Sequence, residues 1–285
     1  MAKRRYDFDE AKITRYQKEG RGTGNGKEYK PWLTIHDVPS LGLASRTFGF
    51  KTGREHHCLS NLESGFLRML EWSDSVFDIR EQFPLDREVT RMLAGKMGIE
   101  HPRDPRTRVD VVMTTDFLVD IRVDGRARSV AYAIKPAQEI EDDKTGPRTI
   151  DKLELERRYW SRDRIPWYLV TDRELPKQRI RNLAWLHEMR SLQHELAPHP
   201  DYWTDRCEQF LVQCQRVRGG SIRDFFMHLE GTCRFAAGEP LKVLRHLAAN
   251  KRVVIDLDRE FSDRDRFDVL RVSAQEQPRL QVVGA

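Results

Sequence analysis

The sequence predicts an α/β domain followed by a smaller, mainly helical one. Three observations carry that reading. Between Ser60 and Val170 the apolar residues recur by turns at helical and at strand spacing. From about Asp172 onward the periods are almost all helical. The chain has 285 residues, 39% of them hydrophobic, which is enough for two cores at ~100–200 residues per domain. The expected division is residues 1–171 and 172–285.

The elements follow in order. Asp7 to Glu19 reads as a short helix with Phe8, Ile13 and Tyr16 on its apolar side, and Pro31 to Val38 reads as extended. Ser45–Lys51 and Arg54–Cys58 suit a hairpin around Thr52-Gly53. Ser60 to Trp72 is a helix with Leu62, Phe66, Met69 and Leu70 on one side; Ser75 to Phe83 is a strand; Arg87–Met97 is a helix. After a polar loop from His101 to Arg108 come two strands, Thr114–Val123 and Arg128–Lys135, joined at Asp124-Gly125, with Pro136 ending the second. A helix over Thr149–Arg162 precedes Trp167–Val170, a continuously apolar strand of the kind buried on both faces. Further helices fit Gln178–Glu195, Tyr202–Val217, Ser221–Leu229 and Pro240–Asn250, and strands fit Arg252–Leu257 and Phe267–Val272 around a charged tip, Asp258–Arg266. Helices followed by a two-stranded hairpin resemble a winged helix.

No apolar run reaches the ~20 residues of a membrane span. The basic start, Met1-Ala2-Lys3-Arg4-Arg5, has no apolar stretch behind it, which argues against a secretory signal and for a cytoplasmic, nucleoid-associated protein. The net charge is +5, and residues 1–60 hold all of the excess, with 12 Lys/Arg against 7 Asp/Glu. Arg outnumbers Lys 37 to 13; guanidinium forks suit phosphate oxygens, although codon bias in a GC-rich genome accounts for such a preference equally well. A basic arm on a neutral body favours a polyanionic partner. Within it, Arg15, Lys18, Arg21, Lys27 and Lys30 are the candidate DNA contacts.

Three other patterns carry no site. Gly20 to Lys27 is glycine-rich but lacks phosphate-loop spacing, since Glu28 follows the lysine; it reads as a flexible basic loop. Cys58, Cys207, Cys214 and Cys233 form no C-x-x-C pair, and Cys207 and Cys214 read as small buried residues on one helix face. His56 and His57 are neighbours in a strand, point to opposite faces and cannot share a metal; they read as surface or hairpin residues.

The chemistry lies in Glu63, Asp116 and Lys135. Glu63 falls in a helix, Asp116 opens one strand and Lys135 ends the next. Asp116, Leu118 and Asp120 share a strand face, as do Ala131, Ala133 and Lys135. Adjacent strands would bring Asp116 to Lys135 at one sheet end. Two carboxylates and a lysine suit metal-assisted phosphodiester hydrolysis: the carboxylates hold Mg²⁺, and the lysine orients water or offsets charge. Each has a plainer reading. Ser60-x-x-Glu63 is a capping box, Asp116 a strand-edge carboxylate, Lys135 a snorkelling side chain. Glu156 lies in the apolar sector set by Leu153, Leu155, Tyr159 and Trp160, while Glu154 points away; it is either aimed at the site or paired with an arginine such as Arg157.

Lys152-Leu153-Glu154-Leu155-Glu156-Arg157-Arg158-Tyr159-Trp160 and Ile165-Pro166-Trp167 resemble the TnsA family, the endonuclease subunits of TnsABC-type heteromeric transposases. So do Lys18–Gly22, Pro31–Thr34, Lys51–Arg54, Leu70–Trp72, Asp78–Leu85 and Thr115–Asp120. The resemblance is dense over 15–170 and looser beyond. It implies a restriction-endonuclease-like catalytic domain with a mixed sheet. It implies Mg²⁺-dependent cleavage of double-stranded DNA at the 5′ ends of a transposon, with Mn²⁺ able to substitute. Its implied partners are TnsB, which cuts and joins the 3′ ends, and TnsC, an AAA+ regulator. Glu63 and Asp116 would be metal ligands with the Ile134 carbonyl, Lys135 the catalytic lysine, and Glu156 a supporting carboxylate. Ala133 departs from the pattern, which has Gln, or in related nucleases Asp or Glu, two before the lysine. Glu156 or water would fill that gap, or cleavage is weakened. A nuclease-like module that bridges TnsB and TnsC without cutting is the rival from another class; a stand-alone restriction or repair nuclease is the rival enzyme.

Overall fold

A computed structural model describes residues 7–38 and 43–273. Lys3, Arg4 and Arg5 lie outside the described residues. The chain divides into two compact units, one ending at Leu175 and the other beginning at Pro176.

The first unit opens with α1 (Glu10–Lys18), capped by the Asp9 side chain on the Lys12 amide. Ile13 and Tyr16 bury beside Trp32. Asp37 then gathers the chain: it accepts from the Tyr16 hydroxyl (2.6 Å), Arg21 (2.7 Å) and the Thr34 hydroxyl (2.6 Å). Residues 31–38 therefore form a turn around Asp37, not the extended segment expected. The glycine-rich stretch is likewise pinned rather than flexible. Gly22 donates to the Lys30 carbonyl and Gly26 to Asp78. At φ +79° Gly22 is left-handed, and a Cβ there would lie 2.1 Å from Pro84, so only glycine fits.

Strands β1 (Ser45–Gly49) and β2 (Arg54–Cys58) form the expected hairpin. Helix α2 (Asn61–Trp72) starts at the Ser60 cap. Then come β3 (Val76–Pro84), α3 (Arg87–Met97), β4 (Thr114–Val123), β5 (Arg126–Ile134), a short α4 (Ala137–Glu141), α5 (Gly146–Arg162) and β6 (Trp167–Val170). The sheet order is β3-β4-β5-β6, antiparallel except for the parallel β5–β6 pair. Phe66 of α2 meets Phe117 and Tyr132 on one face. On the other, Leu118 and Ala131 pack with Ala94 of α3 and with Leu155 and Trp160 of α5. The result is the mixed α/β architecture expected. β6 corrects one detail: it is an edge strand, with Tyr168 55% exposed, so its apolar run reflects one covered face and an aromatic stack of Tyr168 on Tyr132.

The second unit holds α6 (Lys177–His187), α7 (Tyr202–Arg216), α8 (Ile222–Thr232), α9 (Glu239–Ala249) and a two-residue ladder of β7 (Val253–Val254) with β8 (Arg271–Val272). Phe210, Phe225, Leu229, Leu244 and Leu247 form its core. α6 ends eight residues short of the expected Glu195. His246 of α9 and Asn250, which caps its C-terminus, take the Met189 and Arg190 carbonyls, which a longer helix would have used itself. The expected hairpin shrinks because its tip is held elsewhere: Ile222 and Arg223 amides bond the Asp265 and Asp263 carbonyls, and Arg179 pairs with Asp258. Cys207 is buried and Cys214 half-buried; burial pushes both thiols up to about 12, which leaves them inert. Among the described residues no helix is long and apolar enough to cross a membrane.

Candidate active site

The site is assembled where two neighbouring strands, β3 and β4, break their alternation. Side chains two apart on a strand ordinarily share a face. On β3, however, Glu81 bonds Arg54 and His56 of the hairpin while Phe83 packs on Trp160 of α5. On β4, Phe117 meets Phe66 of α2 while Thr115 bonds Glu156 of α5. The break falls at Gln82, whose φ is +48°, a left-handed value uncommon for a residue with a Cβ. The register steps from Glu81↔Phe117 to Phe83↔Thr115, over Gln82 and Asp116. The Gln82 carbonyl has turned out to accept the Trp32 amide at 3.2 Å.

Glu63 enters from the first turn of α2. Ser60 and Glu63 bond reciprocally, and the Leu59 amide donates to Glu63 Oε2 at 2.9 Å. The Ser60 cap is therefore real, but Glu63 takes the Leu59 amide and the Ser60 hydroxyl instead of the Ser60 amide of a capping box, and this aims the carboxylate: the same Oε2 accepts Gln82 Nε2 at 3.3 Å. Gln82 Nε2 also lies 3.5 Å from Asp116 Oδ1. Asp116 Oδ2 accepts the Ile134 amide at 2.7 Å and Lys135 Nζ at 3.2 Å. The end of β5 thus fastens to the carboxylate, and Asp116 meets Lys135 as the strand order implied.

Glu156 is 6% exposed in the apolar layer. It accepts Thr115 Oγ1 at 2.8 Å and Trp167 Nε1 at 3.0 Å, and Trp160 Nε1 donates to that hydroxyl at 2.7 Å. It does not pair with Arg157, which bonds Glu154 on the exposed side. Ala133 is buried and brings no polar atom.

Three carboxylates here face one ammonium. Burial, and then the Asp116 charge, push Glu63 up to about 7, and the same two causes push Glu156 to about 7. Burial alone would lower Lys135, but Asp116, Glu156 and Glu63 outweigh it and raise it, so it stays charged. Among the described residues no three His, Cys, Asp or Glu side chains form a ready-made cation cluster. Mg²⁺ asks for less, since it keeps several waters and takes one or two carboxylates. Glu63 and Asp116, buried and separated by a single amide, fit that demand.

Three of the basic-arm candidates meet at Glu19: Arg15 and Arg21 ion-pair with its carboxylate at 3.6 and 2.7 Å, and Lys30 donates to its carbonyl at 3.1 Å. Arg15, Lys18, Lys27 and Lys30 are exposed. Arg21 turns inward, 18% exposed, ion-paired with Asp37 and Glu19 and lying over the Tyr16 ring; this commitment leaves it no free fork for phosphate. His56 is fully buried, not a surface residue, with Nδ1 2.7 Å from Glu81 and Nε2 2.8 Å from the Thr52 hydroxyl. Burial opposes the Glu81 charge, but the Arg54 and His56 bonds outweigh it and hold that carboxyl at about 2. Gln82, Thr115 and Trp167 were not singled out by residue pattern. The one available signal for Gln82 was a carboxamide in an otherwise apolar and charged strand.

Known proteins resemble this chain along both units. The family described as "TnsA-like endonuclease N terminal" matches residues 73–172, and "TnsA endonuclease C terminal" matches 174–257. The chain is 40% identical over 268 residues to the transposon Tn7 transposition protein TnsA of Escherichia coli, covering 92% of this chain and 91% of that protein.

Proposed function

The chain belongs to the TnsA endonuclease family, and from that premise we propose that it is a Mg²⁺-dependent DNA endonuclease that cleaves the 5′ ends of a transposon alongside TnsB and TnsC. That it is a nuclease of transposition follows from the family; the ion, the strand and the partners are the proposal. One observation carries it: Glu63 and Asp116 converge on the Gln82 amide, with Lys135 Nζ 3.2 Å from Asp116.

Glu63, Asp116 and the main-chain carbonyl of Ile134 would hold the ion. When bound, Mg²⁺, or Mn²⁺ in its place, polarises the scissile phosphate and activates water. Lys135 stays protonated, so it serves as a donor and a positive charge, not as a base. It holds Asp116 in place and offsets charge that builds on the phosphate in the transition state. Glu156, fixed by Thr115 and Trp167, lies within electrostatic reach of Lys135 and adds negative potential there as it loses its proton near 7. Arg15, Lys18, Lys27 and Lys30 supply phosphate contacts that position the duplex. The second unit carries the TnsC contact.

Ala133 sustains a second reading, a nuclease-like module that bridges the transposase subunits without cutting. A strand-cleavage assay on plasmid carrying transposon ends, with TnsB and TnsC present, separates the two. Breaks at the 5′ ends that need Mg²⁺ and vanish in Glu63→Ala support the nuclease. Partner binding without any break supports the module. Cutting without partners would favour a stand-alone nuclease.

A further inference from the structure

We propose that Gln82 is an oxygen ligand for the divalent cation of this site, standing in for the side chain that Ala133 lacks. The inference rests on the metal-nuclease reading above. Gln82 is 2% exposed, so its carboxamide must satisfy its polar atoms within the protein. Nε2 lies 3.3 Å from Glu63 Oε2 and 3.5 Å from Asp116 Oδ1, and Oε1 accepts the Thr114 hydroxyl at 3.0 Å. One end of the amide therefore occupies the space between two carboxylates, where a cation would be attracted.

The amide has two competent orientations. Half a turn about its last torsion exchanges Oε1 and Nε2. Oε1 would then lie between Glu63 and Asp116, and Nε2 would donate to the Thr114 hydroxyl, which can accept as readily as it donates. The first orientation suits two carboxylates alone, because it gives both a donor. The second suits the carboxylates with an ion, because it adds a neutral oxygen of the type Mg²⁺ takes. The backbone favours this role: at φ +48° Gln82 is held in an uncommon conformation, fixed by the Trp32 amide on its carbonyl, and such outliers concentrate where function requires an aim that regular structure does not give. Ala133 offers no side-chain oxygen at the end of β5, and Gln82 approaches Asp116 from β3, on the other side of β4.

The test is Mn²⁺ and Mg²⁺ binding to the full chain by titration calorimetry, comparing wild type with Gln82→Met and Gln82→Glu. Methionine keeps the length and removes both amide atoms; glutamate keeps the oxygen and removes the donor. The expected result is at least tenfold weaker binding in Gln82→Met and binding at least as tight as wild type in Gln82→Glu. If Gln82 only held the carboxylates through its N–H, Gln82→Glu would repel them and bind more weakly, which overturns the ligand role. Unchanged binding in Gln82→Met overturns it too. Should Gln82→Met fail to fold by circular dichroism, the glutamate variant alone decides. A wild-type chain that binds neither ion removes the underlying reading; a wild type that binds while the variants show either overturning pattern removes only this one.

Discussion

Glu81 and Phe83 lie two residues apart on one strand and point into opposite layers, Glu81 to Arg54 and His56, Phe83 to Trp160. The chain turns left-handed at Gln82 between them, beside Asp116, and Glu63, from the α2 layer, and Glu156, from the α5 layer, both lie within electrostatic reach of Asp116. The Glu81 side holds a separate buried network of charge with the hairpin.

That network should dominate the stability of the first unit. Arg54 grips Glu81 with two bonds, 2.8 and 2.6 Å, at a residue with no exposure. Arg54→Met leaves a buried carboxylate short of its partner and should destabilise by roughly 3–5 kcal/mol, read by denaturant unfolding. A double variant, Arg54→Met with Glu81→Leu, should recover much of that loss. A single variant as stable as wild type would mean that His56 alone suffices.

The raised carboxyls predict an unusual pH dependence. Glu156 titrates near 7 when folded and at roughly 4.3 when unfolded. Its contribution is therefore fully present below about 4.3 and is lost as pH rises through about 7. In chelator, the melting temperature of wild type relative to Glu156→Gln should fall between pH 5 and pH 8. A constant difference across that window would place the Glu156 proton elsewhere.

Much of this was legible in the residues. The hairpin, the capped helix at Ser60, the strand beginning at Thr114 and the inward face at Glu156 follow from spacing, because each depends on local periodicity. Four features did not follow. The Asp37 turn depends on Tyr16 and Arg21, sixteen or more residues away along the chain. His56 looked exposed because nothing local announces Glu81 beneath it. Gln82 breaks the very alternation from which strand faces are inferred, so pattern reading places it on a regular face. The short β7–β8 ladder has the same origin, since its tip residues bond α6 and α8 instead.

The basic arm makes a quantitative prediction. Neutralising Arg15, Lys18, Lys27 and Lys30 together should weaken DNA binding on all sequences. It should reduce the log–log salt slope by ~0.9 for each phosphate that the arm no longer neutralises. Arg21→Gln should instead lower stability, because Asp37 loses an ion pair. Fluorescence anisotropy over a salt series checks the first and thermal melting the second; an unchanged slope would make the arm a protein-docking element.

The second unit has its own core around Phe210, Phe225 and Leu244, so residues from Pro176 onward should fold when expressed alone. We expect this fragment to retain TnsC in a pull-down. Retention only by the first unit would reverse the assignment.

Asp116 touches Ile134, Lys135 and Gln82 at once. The most direct test maps strand breaks at transposon ends in Mg²⁺, with TnsB and TnsC, for wild type and Asp116→Ala. We predict 5′-end breaks in wild type and none in Asp116→Ala, with folding and partner binding retained. Equal 5′ cleavage by the two proteins would contradict the site.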